Sequence, residues 1–316
     1  HVYCLTMDII KALYIGSTVC INDSIMHIQK NLKLFQPDMV LMVPLMIESF
    51  YAKLKAAGDQ LPKEEIAKFA FGGRLKTICS GGAYLDPDYV AKFAEYGITI
   101  LQGYGMTELS AAASFCVNKI YKPGSVGIPS LTTTVSIFDP DTGEELGYNE
   151  MGEVCVTGPS MMKGYFQAEE ETNIIMRTHD DGNIWIHSGD IGYIDDDGFL
   201  FIKGRIKRMI TRFDGHKVFP INMESVIGGI EGVKNCSVIG VNDREHSQGQ
   251  YPLALVEFAT EVDEKAKCKE IFKYCDEQLE ERGKPVAVLP IKEIPLTGMG
   301  KNDVKALEKL YADFDY

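Results

Sequence analysis

Three short segments of the sequence contain side chains that could bind a phosphorylated ligand. The first is Tyr-Gly-Met-Thr-Glu at 104–108, directly after an apolar run. Tyr104 could stack on a flat ring, Thr107 could donate a hydrogen bond to a phosphate, and Glu108 could help to hold Mg²⁺. A plain strand-to-loop turn with a surface glutamate explains the same pentapeptide, so both interpretations stay open on these residues alone.

The second segment is Trp-Ile-His-Ser-Gly-Asp at 185–190, and Gly-Arg follows at 204–205. A carboxylate has two acceptor oxygens, so Asp190 could accept hydrogen bonds from both hydroxyls of a ribose. Arg205 could add a charged donor to the same sugar or to a phosphate. A β-hairpin closed by the Asp-Gly turn at 197–198, with a surface arginine, is the alternative.

The third segment is Leu-Thr-Gly-Met-Gly-Lys at 296–301, near the end of the chain. It is not a nucleotide P-loop, because Pro295 takes the position of the first glycine and Asn302 replaces the Ser or Thr that would hold magnesium. Its chemistry is that of a glycine loop that presents Lys301. A surface lysine without a role is the ordinary explanation of such a residue.

The elements that must position these segments follow from hydrophobic patterning. Residues 1–120 alternate short apolar runs with helical patterns, which predicts a parallel sheet covered by helices. The predicted strands are Thr18–Asn22, Met39–Val43, Leu75–Ser80 and Ile98–Gln102, and the predicted helices are Ser24–Leu34, Leu45–Ala57, Lys63–Phe71 and Asp86–Tyr96. Ligands bind at the carboxyl ends of parallel strands, so Ser-Gly-Gly-Ala at 80–83 should lie near Tyr104.

The rest of the chain predicts two further units. Residues 121–205 contain short β-type segments broken by turn residues, which indicates a small antiparallel β-barrel. Residues 206–316 predict a compact α+β domain, with helices at Ile221–Ile230 and Lys265–Glu281 and strands at Ser237–Val241 and Leu253–Phe258. The expected fold is therefore α/β: a parallel βαβ subdomain at 1–120, the barrel at 121–205 and the C-terminal domain at 206–316.

Composition excludes several classes of protein. The chain has 316 residues and a net charge of −13, which argues against a general nucleic-acid binder. Its 8 cysteines form no Cys-x-x-Cys pair, so we expect no zinc site and a reducing, cytoplasmic setting. No apolar run reaches the roughly 18 residues that a membrane span needs, so none is expected.

The order and spacing of the three segments carry a resemblance that none of them carries alone. Tyr-Gly-x-Thr-Glu, then Ser-Gly-Asp, then Gly-Arg, then Pro-x-Thr-Gly-x-Gly-Lys resembles the adenylate-forming superfamily of acyl-CoA synthetases, luciferases and peptide-synthetase adenylation domains. Gly-Ser-Val-Gly at 124–127 and the segment 158–166 are similar to further family segments. The resemblance covers essentially the whole chain.

The resemblance implies a role for each motif residue in binding ATP and Mg²⁺. Thr107 would contact the α-phosphate, Glu108 the magnesium, and Lys301 the α-phosphate region and the attacking carboxylate. The residues that would flank the adenine are Gly81, Gly82, Ala83 and Tyr104, and those that would hold the ribose are Asp190 and Arg205.

The resemblance also implies a second half-reaction with coenzyme A. The C-terminal domain of the family rotates between the two steps, and Lys207 matches the hinge position. Gly215 matches a glycine strand that lines the pantetheine tunnel. The acyl pocket would include His1, Tyr3, Val43, Gly103 and Met106.

The implied function is an AMP-forming acyl-CoA synthetase, which converts a carboxylic acid, ATP and CoA to acyl-CoA, AMP and pyrophosphate through an acyl adenylate. Residues 218–224 resemble the fatty-acyl-CoA synthetase version, whereas 296–307 are close to the adenylation-domain form. We favour the CoA ligase, because CoA contacts the hinge region in this family. The expected substrate is a medium- or long-chain fatty acid.

Two alternatives stay open. An acyl-AMP ligase or adenylation domain would load an acyl carrier protein, and a non-catalytic fragment would bind a nucleotide or CoA. The Ser/Thr/Gly-rich phosphate loop of the superfamily is expected before His1, so the chain is predicted to be a fragment of a longer enzyme, with weak or no turnover by itself.

Overall fold

The computed structural model describes residues 2–58, 61–117, 120–246, 248–260, 262–297, 301–312 and 314. The chain forms two compact units. The first contains the residues up to Ser188 together with Gly192–Ile202, and the second contains Gly189–Ile191 together with the chain from Lys203 onward. The three-part division at 120 and 205 stays a prediction.

The first unit is built on the parallel sheet that the sequence predicts. Strands β1 (Met39–Met42), β2 (Thr77–Ser80) and β3 (Thr99–Tyr104) are parallel neighbours, with Met42 beside Ser80 and Ser80 beside Gln102. Two short antiparallel strands, β4 (Ser114–Phe115) and β5 (Ile128–Pro129), extend the sheet past β3. The carboxyl ends of β2 and β3 therefore lie side by side.

This part of the chain also contains helices. They are α1 (Val2–Cys4), α2 (Lys11–Tyr14), α3 (Ile28–Phe35), α4 (Pro44–Ala56), α5 (Lys63–Phe71) and α6 (Asp88–Ala94), with a π-helical segment at Leu5–Ile10 and a 3₁₀ turn at Ile25–His27. Phe71 of α5 and Phe93 of α6 pack with Ile78 and Ile100 in one buried cluster. The Asp86 carboxylate accepts a hydrogen bond of 2.9 Å from the Asp88 N–H at the start of α6.

The predicted strand Thr18–Asn22 is wrong. These residues form no strand, and the chain instead enters the 3₁₀ turn, where the Ser24 hydroxyl accepts from the Met26 N–H at 3.3 Å. The β-branched residues of the run produced the strand pattern. Ile21 is nevertheless 70% exposed, so the burial that makes such a run a core strand is lacking.

The antiparallel part of the first unit confirms the β-rich expectation after the parallel sheet. Strands β6 (Thr134–Phe138), β7 (Gly152–Thr157), β9 (Ile184–Ile194) and β10 (Leu200–Arg205) run in the order β10-β9-β7-β6, and β8 (Met176–Thr178) pairs with β9. Val154, Val156, Ile186 and Leu200 are fully buried between them. Helix α7 (Glu169–Ile175) precedes β8.

The second unit is an α+β domain with helices on both faces of a sheet. Its strands are β11 (Ile210–Thr211), β12 (Lys217–Val218), β13 (Val233–Asn242), β14 (Gln250–Phe258) and β15 (Ala287–Pro290), and its helices are α8 (Pro220–Gly228), α9 (Glu264–Gln278) and α10 (Val304–Leu310). Ala254 and Val256 of β14 pack with α8 and α9, whereas Leu253 and Leu255 pack with Leu307 of α10. This alternation follows from the two-residue period of a strand.

Within the part of the chain that the structure describes, no helix is both long enough and apolar enough to cross a lipid bilayer.

Candidate active site

A cavity of about 240 Å³ opens at the carboxyl ends of β2 and β3. Gly81 and Gly82 follow β2, and the segment 103–106 ends β3 and continues past it. Tyr3 approaches from the N-terminal helical segment. The other walls are mainly apolar and are contributed by Met7, Met39, Leu101, Ala111, Phe115 and Val117. The structure thus gathers six of the predicted site residues around one cavity: Tyr3, Gly81, Gly82, Gly103, Tyr104 and Met106.

Gly105 is required by the close approach of two backbone segments. A Cβ at this position would lie 1.6 Å from the carbonyl oxygen of Ala111. Ala111 itself has φ of 121°, a backbone conformation that residues with a side chain rarely adopt. The chain after β3 is therefore folded tightly back on itself beside the cavity, and only glycine fits at its centre.

Tyr3 packs against the backbone at the end of β2. A Cβ at Gly81 would lie 3.0 Å from Cζ of the Tyr3 ring, and the Tyr3 hydroxyl donates to the Cys79 carbonyl at 3.1 Å. Burial raises the pKa of the Tyr3 phenol above its ordinary value. The face of Gly81 that the resemblance assigned to adenine is thus covered by a residue that it assigned to the acyl pocket.

Thr107 and Glu108 lie in a 3₁₀ turn, Thr107–Leu109, that is anchored by the buried Leu109. Thr107 is exposed, and the Glu108 carboxylate accepts a hydrogen bond from the Tyr165 hydroxyl at 2.5 Å. Burial and this carboxylate raise the pKa of Tyr165 to about 12. A carboxylate is a hard oxygen donor of the kind that Mg²⁺ prefers, and a hydroxyl can donate a hydrogen bond to a phosphate, so the chemistry of Glu108 and of Thr107 suits the separate role predicted for each.

Two other predicted residues of this region, both described by the structure, lie outside the cavity wall. Val43 is 42% exposed and comes near Gly82, where an added Cβ would meet its Cγ1 at 3.9 Å. Ala83 is exposed beyond the end of β2. His1 lies outside the described residues.

Asp190 and Arg205 form an ion pair. The Arg205 Nε lies 2.8 Å from Asp190 Oδ1, and the Asp190 side chain is 15% exposed against 59% for Arg205. Asp190 lies on β9 and Arg205 on β10. These strands are neighbours in the sheet, so two residues fifteen positions apart in sequence lie side by side. The guanidinium orients the carboxylate, and the two residues predicted for the ribose therefore lie together.

Lys207 lies in the exposed 3₁₀ turn Ile206–Arg208. The next residue, Arg208, pairs with Glu224 of α8 at 2.5 Å, and Glu224 also accepts from the Val238 N–H at 2.9 Å. The chain is thus fastened to the second unit immediately after the predicted hinge residue.

Gly215 lies in the turn that joins β11 to β12. Its φ is 79°, the left-handed conformation that favours glycine. The turn is closed by the Arg212 N–H, which donates to the His216 carbonyl at 2.9 Å.

Lys301 is exposed and is held through its backbone. Its N–H donates to Thr297 Oγ1 at 3.2 Å, and its carbonyl accepts from the Thr297 N–H at 2.7 Å. The glycines of the loop, at 298 and 300, lie outside the described residues.

Sequence reasoning missed a buried polar cluster under β9. His187 Nδ1 lies 2.7 Å from Glu153 Oε2 and 3.5 Å from Cys155 Sγ, and His187 Nε2 lies 2.8 Å from His179 Nε2. Burial raises the pKa of the Cys155 thiol above its ordinary value. The cluster therefore supports β9, the strand that carries Asp190, through hydrogen bonds.

Sequence reasoning also missed Tyr165, which lies 57 residues from its partner Glu108. The only available signal was its place in the family-like segment 158–166. No local pattern identifies a hydrogen bond between residues so far apart in the chain.

The arrangement of strand ends and motifs agrees with a match to known families. Residues 1–166 match the model of the AMP-binding enzyme family, and residues 222–301 match the model of the AMP-binding enzyme C-terminal domain. The chain belongs to the AMP-binding enzyme family. This confirms the resemblance to adenylate-forming enzymes.

Individual relatives of this AMP-binding chain are CoA ligases by name. It is 33% identical over 260 residues to "Probable CoA ligase CCL5" from Humulus lupulus, a match that covers 81% of the chain and 45% of the relative. It is 38% identical over 172 residues to a feruloyl-CoA synthase from Amycolatopsis sp, covering 54% of the chain and 33% of the relative. The chain thus spans half or less of the length of these relatives.

A solved structure shows the same fold. ATP-bound MatB from Rhodopseudomonas palustris superposes with a TM-score of 0.81 and 27% identity, covering 99% of this chain and 58% of that one. The mixed α/β fold, with N-terminal and C-terminal parts, is therefore that of adenylate-forming enzymes.

Proposed function

We propose that the protein to which this chain belongs is an AMP-forming acyl-CoA ligase. The observation that carries the proposal is the meeting of the glycine end of β2 with the Tyr-Gly-Met-Thr-Glu segment after β3 around one apolar cavity. CoA-ligase relatives support the same reaction class.

In the first half-reaction, a carboxylate oxygen of the acid attacks the α-phosphorus of ATP. The bond from that phosphorus to the pyrophosphate breaks, and acyl-AMP forms. Thr107 donates to the α-phosphate, and the Lys301 ammonium stabilises the charge that builds on the non-bridging oxygens. Mg²⁺, held by Glu108, would neutralise the leaving pyrophosphate.

The nucleotide's sugar and base are placed by residues that carry no chemistry themselves. The Asp190 carboxylate, oriented by Arg205 at 2.8 Å, accepts from the ribose hydroxyls. Tyr104 stacks on the adenine, and Gly82 and Ala83 border it with their backbone exposed.

In the second half-reaction, the CoA thiol attacks the acyl carbon of acyl-AMP, the bond to the phosphate oxygen breaks, and AMP leaves. Lys207 is the hinge at which the chain turns between the two steps. Gly215 lets the pantetheine arm pass close to the β11–β12 turn, because no side chain projects there.

The acid is proposed to be compact and aromatic. The cavity of about 240 Å³ is small, and the aromatic residues Tyr3 and Phe115 are among those that line it. The name of the Amycolatopsis relative, a feruloyl-CoA synthase, also denotes an aromatic acid. Neither relative named above is described as a fatty-acid enzyme. The medium- or long-chain fatty acid expected from the sequence is therefore tested as the alternative substrate.

Two alternative functions give different products. A ligase that loads an acyl carrier protein would make acyl-AMP but no CoA thioester. A binding module would retain ATP or CoA without making either product. A cytoplasmic location remains a prediction for all three.

The test is mass-spectrometric detection of acyl-CoA and acyl-AMP with ATP, Mg²⁺, CoA and a panel of cinnamic, benzoic and fatty acids. The chain and the complete product of its gene are assayed separately, with Lys301→Ala as the control. We expect thioesters of aromatic acids from the complete product, lost in the control. Acyl-AMP without thioester indicates the carrier-protein loader, and neither product from any acid contradicts the enzyme.

A further inference from the structure

The two ends of the loop 296–302, which contains Lys301, are held together by backbone hydrogen bonds. Leu296 and Asn302 face each other in an antiparallel bridge. Inside that bridge, Thr297 bonds both backbone groups of Lys301, at 2.7 and 3.2 Å. The direction in which the lysine leaves the backbone is therefore set by the neighbours of Lys301.

The Asn302 side chain ties the base of this loop to β13. Its carbonyl oxygen accepts from Asn235 Nδ2 at 2.9 Å, and its amide nitrogen donates to Asn235 Oδ1 at 3.3 Å and to the Cys236 carbonyl at 2.9 Å. Strand β13 pairs with β14 along its length from Val233 to Asn242. The Asn302 side chain thus fastens the residue after the lysine to a strand of the sheet in the second unit.

We propose that Asn302 is the residue that positions Lys301 for adenylate formation. The inference rests on the proposed function, in which Lys301 acts at the α-phosphate. Asn302 occupies the place where a P-loop has its magnesium-binding hydroxyl, but both ends of its amide are bonded to β13. Its role is therefore exerted through the lysine and not on the nucleotide.

The helix that follows does not replace this anchor. Asp303 caps α10, because its carboxylate accepts from the Ala306 N–H at 3.1 Å and its own N–H donates to the Pro295 carbonyl at 2.8 Å. The bond to Pro295 holds the start of α10 against the segment that precedes the loop. The Asn302 side chain connects the described base of the loop to Asn235 and Cys236 by hydrogen bonds.

A loss of this anchor should slow one half-reaction and not the other. Misplacement of a catalytic group by about 1 Å can cost on the order of 100-fold in rate. Lys301 acts only in the adenylation step of the proposed mechanism. The rate of thioester formation from added acyl-AMP should therefore not change when Asn302 is substituted.

The experiment measures both half-reactions in the complete gene product. Adenylation is followed as pyrophosphate release with saturating acid and ATP, and thioester formation as the reaction of synthetic acyl-AMP with CoA. The variants are Asn302→Ala, Asn302→Asp, Asn235→Ala and Lys301→Ala. Asn242→Ala is the matched control, because this asparagine is exposed at the other end of β13.

We expect Asn302→Ala to lower kcat of adenylation by roughly tenfold or more, with thioester formation within about twofold of the wild type. Asn302→Asp keeps the acceptor but loses the donor to Asn235 Oδ1 and to the Cys236 carbonyl, so it should give a loss of the same kind, and Asn235→Ala should give a smaller one. Asn242→Ala should change neither step.

Equal losses in both half-reactions, or an unchanged adenylation rate in folded Asn302→Ala, would overturn the inference. If Lys301→Ala itself leaves adenylation unchanged, or the wild type makes no acyl-AMP, the proposed function fails instead. Thermal melting of each variant distinguishes a folding defect from a positioning defect.

Discussion

At the scale of single residues, the candidate site depends on the identity of two residues that contact its backbone or its side chains. Gly105 allows the chain after β3 to fold against Ala111, and Tyr165 holds the carboxylate of Glu108. Gly105 leaves room for the Ala111 carbonyl, and Tyr165 orients the Glu108 carboxylate. Each residue leads to a prediction.

Gly105→Ala should destabilise the first unit by at least about 3 kcal/mol, because the new Cβ meets a backbone carbonyl that cannot move away cheaply. Urea unfolding followed by circular dichroism measures the loss. Gly228→Ala is the control, since a Cβ there meets nothing within 4 Å. Equal stability of the two variants would show that the tight fold beside the cavity does not exist.

Tyr165→Phe removes the donor to Glu108 while keeping the ring. We expect the Mg²⁺ concentration for half-maximal adenylate formation to rise by about threefold to tenfold, which corresponds to about 1 kcal/mol for a partly exposed hydrogen bond to a carboxylate. Tyr148→Phe is the control, because Tyr148 is 64% exposed. An unchanged Mg²⁺ dependence would separate Glu108 from the metal.

At the scale of elements, β14 contains a buried carboxylate whose ionisation is coupled to folding. Burial tends to raise the pKa of Glu257, but the hydrogen bonds from the Lys234 ammonium and the Ile294 N–H outweigh it and lower the pKa below its ordinary 4.5. A lowered folded pKa means that the unfolded chain binds the proton more tightly. The stabilisation is therefore present above about pH 4.5 and is lost as pH falls through the folded pKa.

Glu257→Gln should reduce this acid-dependent loss of stability. At pH 7 we expect the variant to be less stable by about 1 kcal/mol, one charge-assisted hydrogen bond. Between pH 5 and 3, roughly the window around an ordinary Glu pKa, its unfolding midpoint should fall less than that of the wild type. The exposed Glu231→Gln is the control, and parallel pH curves for all three proteins would contradict the assignment.

Elements with a strong pattern and deep burial could be predicted from sequence. Strands β1, β2 and β3 and helices α4 and α5 lie within a few residues of their predicted bounds, because each combines an apolar run with turn residues at its ends. The run Thr18–Asn22 is also rich in β-branched residues, but none of its residues is buried. Composition alone therefore gave a wrong strand prediction there. The four-residue strand β15 and the seven-residue helix α10 are too short for a periodic signal.

The site divides in the same way. Motif residues such as Gly81, Tyr104 and Glu108 could be proposed from residue type and spacing, and their roles stay predictions. The residues that hold them could not, because Tyr165 and Glu108 are 57 positions apart and Asn302 and Asn235 are 67 apart. Such contacts depend on the tertiary fold, which has no local signature.

At the scale of the whole molecule, the chain is built from two compact units with separate cores. The second unit buries apolar side chains on both faces of the sheet β13–β14–β15, around Ile271 on one side and Leu307 on the other. A unit with its own core on both faces of a sheet should not need the first unit in order to fold.

A fragment of residues 203–316 should therefore unfold cooperatively by itself. We expect a single sigmoidal transition in urea and dispersed amide resonances in a proton–nitrogen NMR spectrum. A fragment that shows collapsed resonances and a gradual transition would mean that the second unit depends on the first for its core.

In the proposed reaction, AMP is transferred to an oxygen of the carboxylic acid before CoA enters. This order can be measured in the complete gene product by supplying an acid labelled with ¹⁸O in its carboxylate, together with ATP, Mg²⁺ and CoA. We expect AMP that carries one ¹⁸O, because the acid's oxygen remains on the phosphate when CoA displaces AMP. Thioester accompanied by unlabelled AMP, or by ADP in place of AMP, would contradict it.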